Sequence, residues 1–268
     1  MQKFGIDISH WQGEFDFKKA KMEGVQYVIL KCGGGDSGLY KDSRFERNYN
    51  EAKLYGLGVG AYFFGFANTV ARAKEEAAFC VSLLKGKKFD YPIFYDVEVE
   101  RMNVGKDAAT EIVKAFCGHL ESAGYWCGFY TNLDWYHYKL RGAELAQRFS
   151  FWLAAWTKTL PNVPNVQMWQ FGGETNYIRD NKVAGVVCDQ DYCYTDFPTL
   201  IKNAGKNGYT KEVQEMTDTQ KAKEWAIKNG IIKGYDNGEY GWKDSMTREQ
   251  FATILYRFYQ KQKKGEIK

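Results

Sequence analysis

The sequence predicts an α/β fold: an irregular, TIM-like (β/α)-barrel followed by a small helical unit. Short apolar runs alternate with longer amphipathic segments up to about residue 145, which favours parallel strands joined by right-handed connections. Three further apolar runs follow with only loops between them, so the last helices of the barrel are expected to be missing. Eight strands in roughly 200 residues favour a closed barrel.

The first part of the chain contains five predicted strands and four predicted helices. The strands are expected over residues 4–9, 27–32, 59–64, 91–98 and 126–131, and the helices over 17–23, 43–55, 71–84 and 107–123. Ser43, with Glu46 three residues later, is a candidate helix N-cap. A glycine follows each helix at the position that often needs positive φ: Gly24, Gly56, Gly86 and Gly124.

After a short predicted helix over 143–149 the pattern changes. The last three strands are expected over 151–156, 166–171 and 186–192, with Pro- and Gly-containing loops between them. The domain prediction is a barrel over 1–202, a polar linker over 203–217 and a helix–loop–helix unit over 218–268. Thr247 and Gln250 form a capping box at the start of the second helix of that unit.

Composition excludes several classes of protein. The 268 residues are 44% hydrophobic and 26% charged, which is typical of a globular chain, and the net charge of +4 is too small to indicate a nucleic-acid partner. No apolar run is long enough to span a membrane, and the N-terminus lacks signal-peptide features. The six cysteines form no C-x-x-C pair and the three histidines are scattered, so free buried thiols and no metal or cofactor are expected.

Four carboxylates fall at the predicted strand ends: Asp7, Asp96, Glu98 and Asp189. Active sites of barrels lie at the carboxyl ends of the strands, and the first and eighth strands are neighbours in a closed barrel. Asp96 and Glu98 are two residues apart, so their side chains point to one face, and their proximity raises at least one pKa. Such a pair suits glycoside hydrolysis, while acidic strand ends without function, or a divalent-metal site, remain open at this point.

Polar aromatic side chains accumulate at the same strand ends. They favour a groove that stacks on sugars, although core packing also explains some of them. The candidates for substrate binding are Trp11, Tyr62, Tyr130, Trp156 and Trp169, together with Gln170.

Seven ordered segments resemble the glycoside hydrolase family 25 lysozymes of the Chalaropsis type. They cover about residues 3–200, and the departure from the family is Phe63, where His is usual. The segments are GIDISHWQG at 5–13, GAYFF at 60–64, YDVE at 95–98, GFYTN at 128–132, LAAW at 153–156, MWQF at 168–171 and VCDQDY at 187–192.

The resemblance implies a muramidase that cleaves the β-1,4 bond between N-acetylmuramic acid and N-acetylglucosamine in peptidoglycan. It implies that Glu98 is the general acid/base and that Asp96 assists at the anomeric centre, either by direct attack or by positioning the substrate acetamido group. Asp7 and Asp189 match flanking acids of the groove, and Tyr62 matches a substrate-contacting tyrosine.

The C-terminal segment resembles one S-layer homology motif, a unit that attaches proteins to anionic secondary cell-wall polymers. Its signature is present as Thr247-Arg248-Glu249-Gln250, so Arg248 and Thr247 are the candidate polymer-binding residues. Such motifs usually act as three copies, and this chain has one. A homo-oligomer through residues 218–268, as a trimer, would supply the other copies.

These features together indicate a phage endolysin that resides in the host cytoplasm and then acts on the cell wall. Three alternatives remain: a host autolysin of the same activity, a wall-binding module that has lost activity, and a metal-dependent carbohydrate deacetylase. Retention of all four carboxylates argues against the inactive module.

Overall fold

The computed structural model describes residues 2–36, 38–211 and 217–267. The chain divides into two compact units, Met1–Glu212 and Val213–Lys268. In the described parts of the chain, no helix combines the length and the apolar character needed to cross a bilayer.

The first unit is a closed barrel of eight strands, as the sequence predicts. The ring runs β1-β2-β4-β5-β6-β7-β8-β11 and closes where β11 pairs with β1. A two-residue strand, β3, adds to the edge of β2, and β9 and β10 form a separate hairpin. The strands are β1 Lys3–Ile8, β2 Tyr27–Gly34, β3 Tyr40–Lys41, β4 Gly58–Phe64, β5 Ile93–Asp96, β6 Cys127–Asn132, β7 Ser150–Ala154, β8 Val166–Gly172, β9 Lys182–Val183, β10 Val186–Val187 and β11 Asp189–Cys193.

The last barrel strand corrects the prediction of eight parallel strands. β11 runs antiparallel to both of its neighbours, β8 and β1. A parallel strand needs a crossover connection, usually a helix, and the chain between β8 and β11 contains only loops and the β9–β10 hairpin. The hairpin turns the chain back at the rim of the barrel, so the next strand runs in the opposite direction.

The described part of the barrel unit has six α-helices: α1 Phe17–Met22, α2 Phe45–Leu54, α3 Val70–Leu84, α4 Lys106–Ser122, α5 Gly142–Arg148 and α6 Phe197–Ala204. α1 to α5 contribute to the core on the outward faces of the strands, as in the stack of Tyr95 on Phe116 at 3.8 Å between ring centroids. The predicted cap at Ser43 is wrong. α2 begins after Arg44, and the side chain of Asp42 accepts the Arg44 backbone N–H at 2.9 Å instead.

The inside of the barrel is filled by a second apolar cluster. Tyr27, Phe94, Trp152 and Met168 are buried there, and Phe197 of α6 joins the cluster. Inward and outward positions alternate along each strand, so this cluster is distinct from the core beneath the outer helices.

The barrel unit extends beyond the predicted boundary at residue 202. Asn207 is buried, its Oδ1 accepts the backbone N–H of Trp126 at 2.7 Å, and its Nδ2 donates to the carbonyl of Tyr91 at 2.9 Å. Its own carbonyl accepts the N–H of Phe89. The first part of the predicted linker, 203–217, therefore belongs to the barrel, and residues 212–216 lie outside the described residues.

The C-terminal unit contains α7 Asp218–Lys228 and α8 Arg248–Lys263. Both helices begin with a capping box, of which the one at Thr247 and Gln250 confirms the prediction. Its small core consists of Ala226, Ile231 and Ile267, with Ile232, Ile254 and Phe258 packed against them. Large apolar side chains remain exposed outside this core, among them Trp225, Phe251, Leu255, Tyr256 and Tyr259.

The Asn207 bridge yields a stability prediction. Asn207 has φ = 57°, so Asn207→Gly removes both side-chain hydrogen bonds without backbone strain. Two buried backbone groups then lose their partners, and we expect the free energy of unfolding to fall by about 3 kcal/mol in urea titrations. The control Asn203→Gly, at an exposed position of α6, should cost less than about 1 kcal/mol. Equal losses in the two variants would contradict the bridging role.

Candidate functional site

The structure brings the four predicted carboxylates to one rim of the barrel. Asp7 lies near the end of β1, Asp96 ends β5, and Glu98 follows two residues later. Asp189 pairs directly with Asp7 in the strand register. It is the first residue of its strand rather than the last, and it still reaches this rim because β11 is antiparallel.

Asp96 and Glu98 have different environments although they are two residues apart. The Asp96 side chain is buried, and its Oδ1 has no hydrogen-bond partner among the described residues. Burial, and then the charge of Glu98, raise the pKa of Asp96 well above its usual value. Glu98 is exposed at the rim, and partial burial by the surrounding walls also raises its pKa. The pair can therefore hold a proton in a place that is open to a ligand.

Lys31 is a site residue that the sequence analysis missed. It is buried on β2, with its Nζ 4.5 Å from the ring centroid of Phe64. Its positive charge lowers the pKa of both Asp96 and Glu98, against the effect of burial. The signal was available, because Lys31 is a charged residue inside an apolar strand, where an unpaired charge is costly.

Gln170 connects three of the predicted groove residues. Its Nε2 donates to Asp7 Oδ2 at 2.9 Å, and its Oε1 accepts from the Tyr130 hydroxyl at 3.0 Å and from Trp156 Nε1 at 3.1 Å. These bonds fix the orientation of the amide. The predicted neighbourhood of Asp7, Tyr130, Trp156 and Gln170 is thus a single hydrogen-bonded group.

The remaining predicted aromatics lie at different depths. Tyr62 lies beside Trp152, with 6.3 Å between the ring centroids, and burial, followed by the charges of Asp7 and Asp96, raises its pKa. Trp11 is 80% exposed on the one-turn helix His10–Gln12 that follows β1. Trp156 is 38% exposed. Aromatic surface is therefore available both inside the rim and above it.

Trp169 does not belong to the site. Along β8 the side chains of Met168 and Gln170 point inward, so Trp169 points outward and is buried in the outer core. Its Nε1 donates to the carbonyl of Ala155 at 2.7 Å. Phe63 likewise points outward and packs on Phe116, with 5.8 Å between the ring centroids. Its difference from the usual His therefore changes the outer core and leaves the rim unchanged.

A fifth acid, Asp191, lies next to the predicted set. It is fully buried, and its Oδ1 accepts from Trp152 Nε1 at 2.8 Å. The sequence indicated it only as the second acid of Asp189-Gln190-Asp191. Despite these acids, no group of three or more His, Cys, Asp or Glu residues in the described ranges is arranged to hold a metal ion. The six cysteines are all buried and free.

The C-terminal unit has its own cavity of about 570 Å³. Lys233, Tyr235, Trp242 and Arg257 contribute to its lining. Arg248 lies outside it on the exposed first turn of α8, and the Thr247 hydroxyl accepts the N–H of Gln250. The two predicted polymer-binding residues are therefore at the helix start rather than in the cavity.

Family models match both units. Residues 6–179 match the model described as "Glycosyl hydrolases family 25", and residues 224–252 match the "S-layer homology domain" model.

The chain is similar to proteins that are described as lysozymes. It is 26% identical over 199 residues to lysozyme M1 of Streptomyces globisporus, covering 70% of this chain and 65% of that protein. It is 30% identical over 159 residues to the autolytic lysozyme of Clostridium acetobutylicum, covering 59% and 47%. This chain thus spans about two thirds and about half of the length of these curated relatives. The solved CTP1L endolysin shares its fold, with a TM-score of 0.65 at 20% identity over 96% of this chain and 98% of that one.

The carboxylate cluster predicts a stability that depends on pH. Burial, followed by the charges of Glu98 and Glu174, raises the pKa of Asp189 from 3.8 to about 6. A raised carboxyl pKa favours the protonated folded state, so this group's contribution to stability is present below pH 4 and is lost as the pH rises through 6. The free energy of unfolding of Asp189→Asn, relative to that of wild type, should therefore rise by up to about 3 kcal/mol between pH 4 and pH 7 in urea titrations.

Asp90→Asn is the control for this measurement. Asp90 is buried at the opposite end of the barrel, and despite the opposing effect of burial, its hydrogen bonds to Lys53 and Tyr209 lower its pKa. Above about pH 4 its carboxyl is ionised in both the folded and the unfolded state, so the difference between this variant and wild type should not change between pH 4 and pH 7. A pH-independent difference for Asp189→Asn would show that Asp189 titrates normally.

Proposed function

Because the chain belongs to glycosyl hydrolase family 25, we propose that it is a muramidase that hydrolyses the β-1,4 bond between N-acetylmuramic acid and N-acetylglucosamine in peptidoglycan. One observation carries the proposal: the carboxyl pair at the rim, Asp96 buried and Glu98 open to the groove, both with raised pKa values. Glycoside hydrolysis needs one carboxyl that delivers a proton and a second that acts at the anomeric carbon.

In this mechanism Glu98 is the general acid. It faces the groove, so the glycosidic oxygen can approach it, and the proton it donates lets the leaving sugar depart as an alcohol. Asp96 then stabilises the positive charge at the anomeric carbon, either by attacking it or by orienting the substrate acetamido group. Water finally adds to the anomeric carbon and gives a proton back to Glu98, which completes the hydrolysis. Lys31 keeps the pair from holding two protons, because its charge lowers both pKa values.

Three kinds of side chain would line the groove that binds the glycan. Asp7 and Asp189 provide negative charge, Gln170 provides a fixed amide, and the rings of Tyr62, Tyr130, Trp156 and Trp11 provide surfaces for sugar stacking. The exposed indole of Trp11 would contact a sugar distant from the bond that is cut. No cofactor is needed for this chemistry.

Mass spectrometry of the muropeptides released from purified walls tests the reaction itself. Products with a reducing N-acetylmuramic acid end would support the proposal, and products cut at another bond would overturn it. Activity that disappears in a chelator would favour the metal-dependent deacetylase. Wall binding without any product would favour the inactive module.

The S-layer homology unit supports association with the cell wall. We propose that its ligand is an anionic secondary wall polymer and that Arg248 contributes a guanidinium to it. A wall-directed catalytic unit with such a second unit suits an endolysin and an autolysin, and we propose the phage endolysin, held in the host cytoplasm until lysis. A holin gene beside the coding sequence would support this setting, and a bacterial gene neighbourhood would favour the autolysin.

The exposed apolar side chains of the C-terminal unit suggest self-association. Phe251 and Leu255 lie one turn apart on α8 and are more than half exposed, and Trp225 of α7 is 41% exposed. Contact with the same unit of other chains would bury them. A trimer would also restore three copies of the motif and present three copies of Arg248 to one polymer.

The general-acid role of Glu98 predicts the effect of one substitution. Glu98→Gln keeps the shape of the side chain but cannot donate a proton, so lysis of Gram-positive walls should slow by about 10²–10⁴-fold in a turbidity assay. Glu100→Gln is the matched control, since Glu100 lies two residues further on, exposed and paired with Lys139 at 2.8 Å. Near wild-type lysis by Glu98→Gln would exclude this assignment.

The trimer has a separate test. Light scattering on the full chain at tens of micromolar should give three times the mass of one chain, and the double variant Phe251→Ser and Leu255→Ser should be monomeric. Leu200→Ser, at an exposed leucine of α6, is the control and should stay trimeric. Arg248→Ala should weaken wall binding without changing the mass. A monomeric wild-type chain would refute the assembly.

A further inference from the structure

Asp191 has one oxygen that no donor satisfies. Its Oδ1 accepts from Trp152 Nε1 at 2.8 Å, while its Oδ2 is buried and has no hydrogen-bond partner in the described part of the chain. Buried carboxylate oxygens without a donor are strongly disfavoured. A hydrogen must therefore come from a neighbouring group.

Asp7 is that neighbour. Asp191 lies opposite Gly5 in the antiparallel pair, and Asp7 is on the same face as Gly5, two residues along β1. The register therefore places the Asp191 and Asp7 side chains at diagonal positions on one face of two paired strands. Neither forms an ion pair with a Lys, Arg or His in the described ranges. Two ionised carboxylates in this place would repel each other, whereas one proton between them would satisfy the unpaired oxygen.

We propose that Asp191 is a positioning residue of the site and that it shares one proton with Asp7. The shared hydrogen bond holds Asp7 in place, and Asp7 in turn fixes the amide of Gln170. Only the effect on lysis rests on the proposed muramidase function. The shared proton itself stands on the geometry of the two carboxyls.

The consequence for the groove follows from the hydrogen bonds of Gln170. Its Nε2 donates to Asp7, which leaves its Oε1 to accept from Tyr130 and Trp156. If Asp7 moved away, the amide could rotate and turn its donors toward the hydroxyl of Tyr130 and the indole N–H of Trp156. The position of Asp191 therefore controls two aromatic side chains that line the groove.

The surroundings of the pair favour retention of the proton. Burial, followed by the charge of Asp189, raises the pKa of both Asp7 and Asp191. At alkaline pH the pair would lose the proton and the repulsion would disturb the groove. The described titratable groups that face the pair are acidic or neutral: Tyr27 from β2, Tyr62 from β4, Asp96 from β5, Tyr130 from β6, Cys188 just before β11, and Asp189 and Cys193 of β11.

Infrared spectroscopy of the full chain detects the proton without any substrate. At pH 7 the carbonyl band of protonated carboxylic acids should lose the intensity of one carboxyl in Asp191→Asn, because the Asn amide then supplies the hydrogen and Asp7 ionises. Asp90→Asn, a buried carboxyl with a lowered pKa, should leave the band unchanged. An unchanged band in Asp191→Asn would overturn the proposal and direct attention to another donor, such as the unpaired hydroxyl of Tyr27.

The pH dependence of lysis tests the positioning role. Lysis by Asp191→Leu should be at least about tenfold slower at every pH. Asp191→Asn should lose less activity, and the alkaline limb of its pH profile of lysis should lie at higher pH, because the Asn amide does not titrate. Asp90→Asn should keep the wild-type pH profile. If Asp191→Leu does not fold, the pH profile of lysis by Asp191→Asn tests the positioning role. A wild-type profile in Asp191→Asn would overturn the role, and absence of lysis by wild type would instead refute the proposed function.

Discussion

The burial of several carboxyl groups at one end of the barrel is the constraint on which the site depends. Asp7, Asp96 and Asp191 are all removed from water, and ionised carboxylates cannot remain so close together without protons or cations. Among the described residues, one buried cation, Lys31, acts on this group, together with the donors Gln170 and Trp152. These are too few to neutralise every acid. Protons must remain on some of the carboxyls, and a retained proton is what a general acid requires.

The direction of the last strand determines which acids meet. If β11 ran parallel to its neighbours, its first residue would lie at the opposite end of the barrel from the carboxyl ends of the other strands. The antiparallel direction instead brings Asp189 to the rim beside Asp7, and places Asp191 two residues further along β11, opposite Gly5. The loss of a crossover helix between β8 and β11 is therefore part of how the site is built, because the short hairpin connection reverses the strand.

The sequence predicts the barrel well where its physical signal is local. Strand–helix alternation, glycines after helices and the capping box at Thr247 each depend on a few neighbouring residues, and the elements they indicate are present. Strand direction is different, because a run of apolar residues is the same in both directions. The same limit explains Trp169: proximity to a strand end is visible in the sequence, but the inward or outward face depends on register.

The site residues that the sequence missed have a common property. Lys31 and Asp191 are charged residues inside apolar runs, and neither has an obvious partner nearby in the sequence. Their partners come from distant strands: Lys31 acts on Asp96 and Glu98, and Asp191 accepts a hydrogen bond from Trp152. An isolated charge in a predicted buried strand therefore indicates a partner elsewhere in the barrel, since burial without one would prevent folding. Applied to the second predicted strand of this chain, that rule selects Lys31.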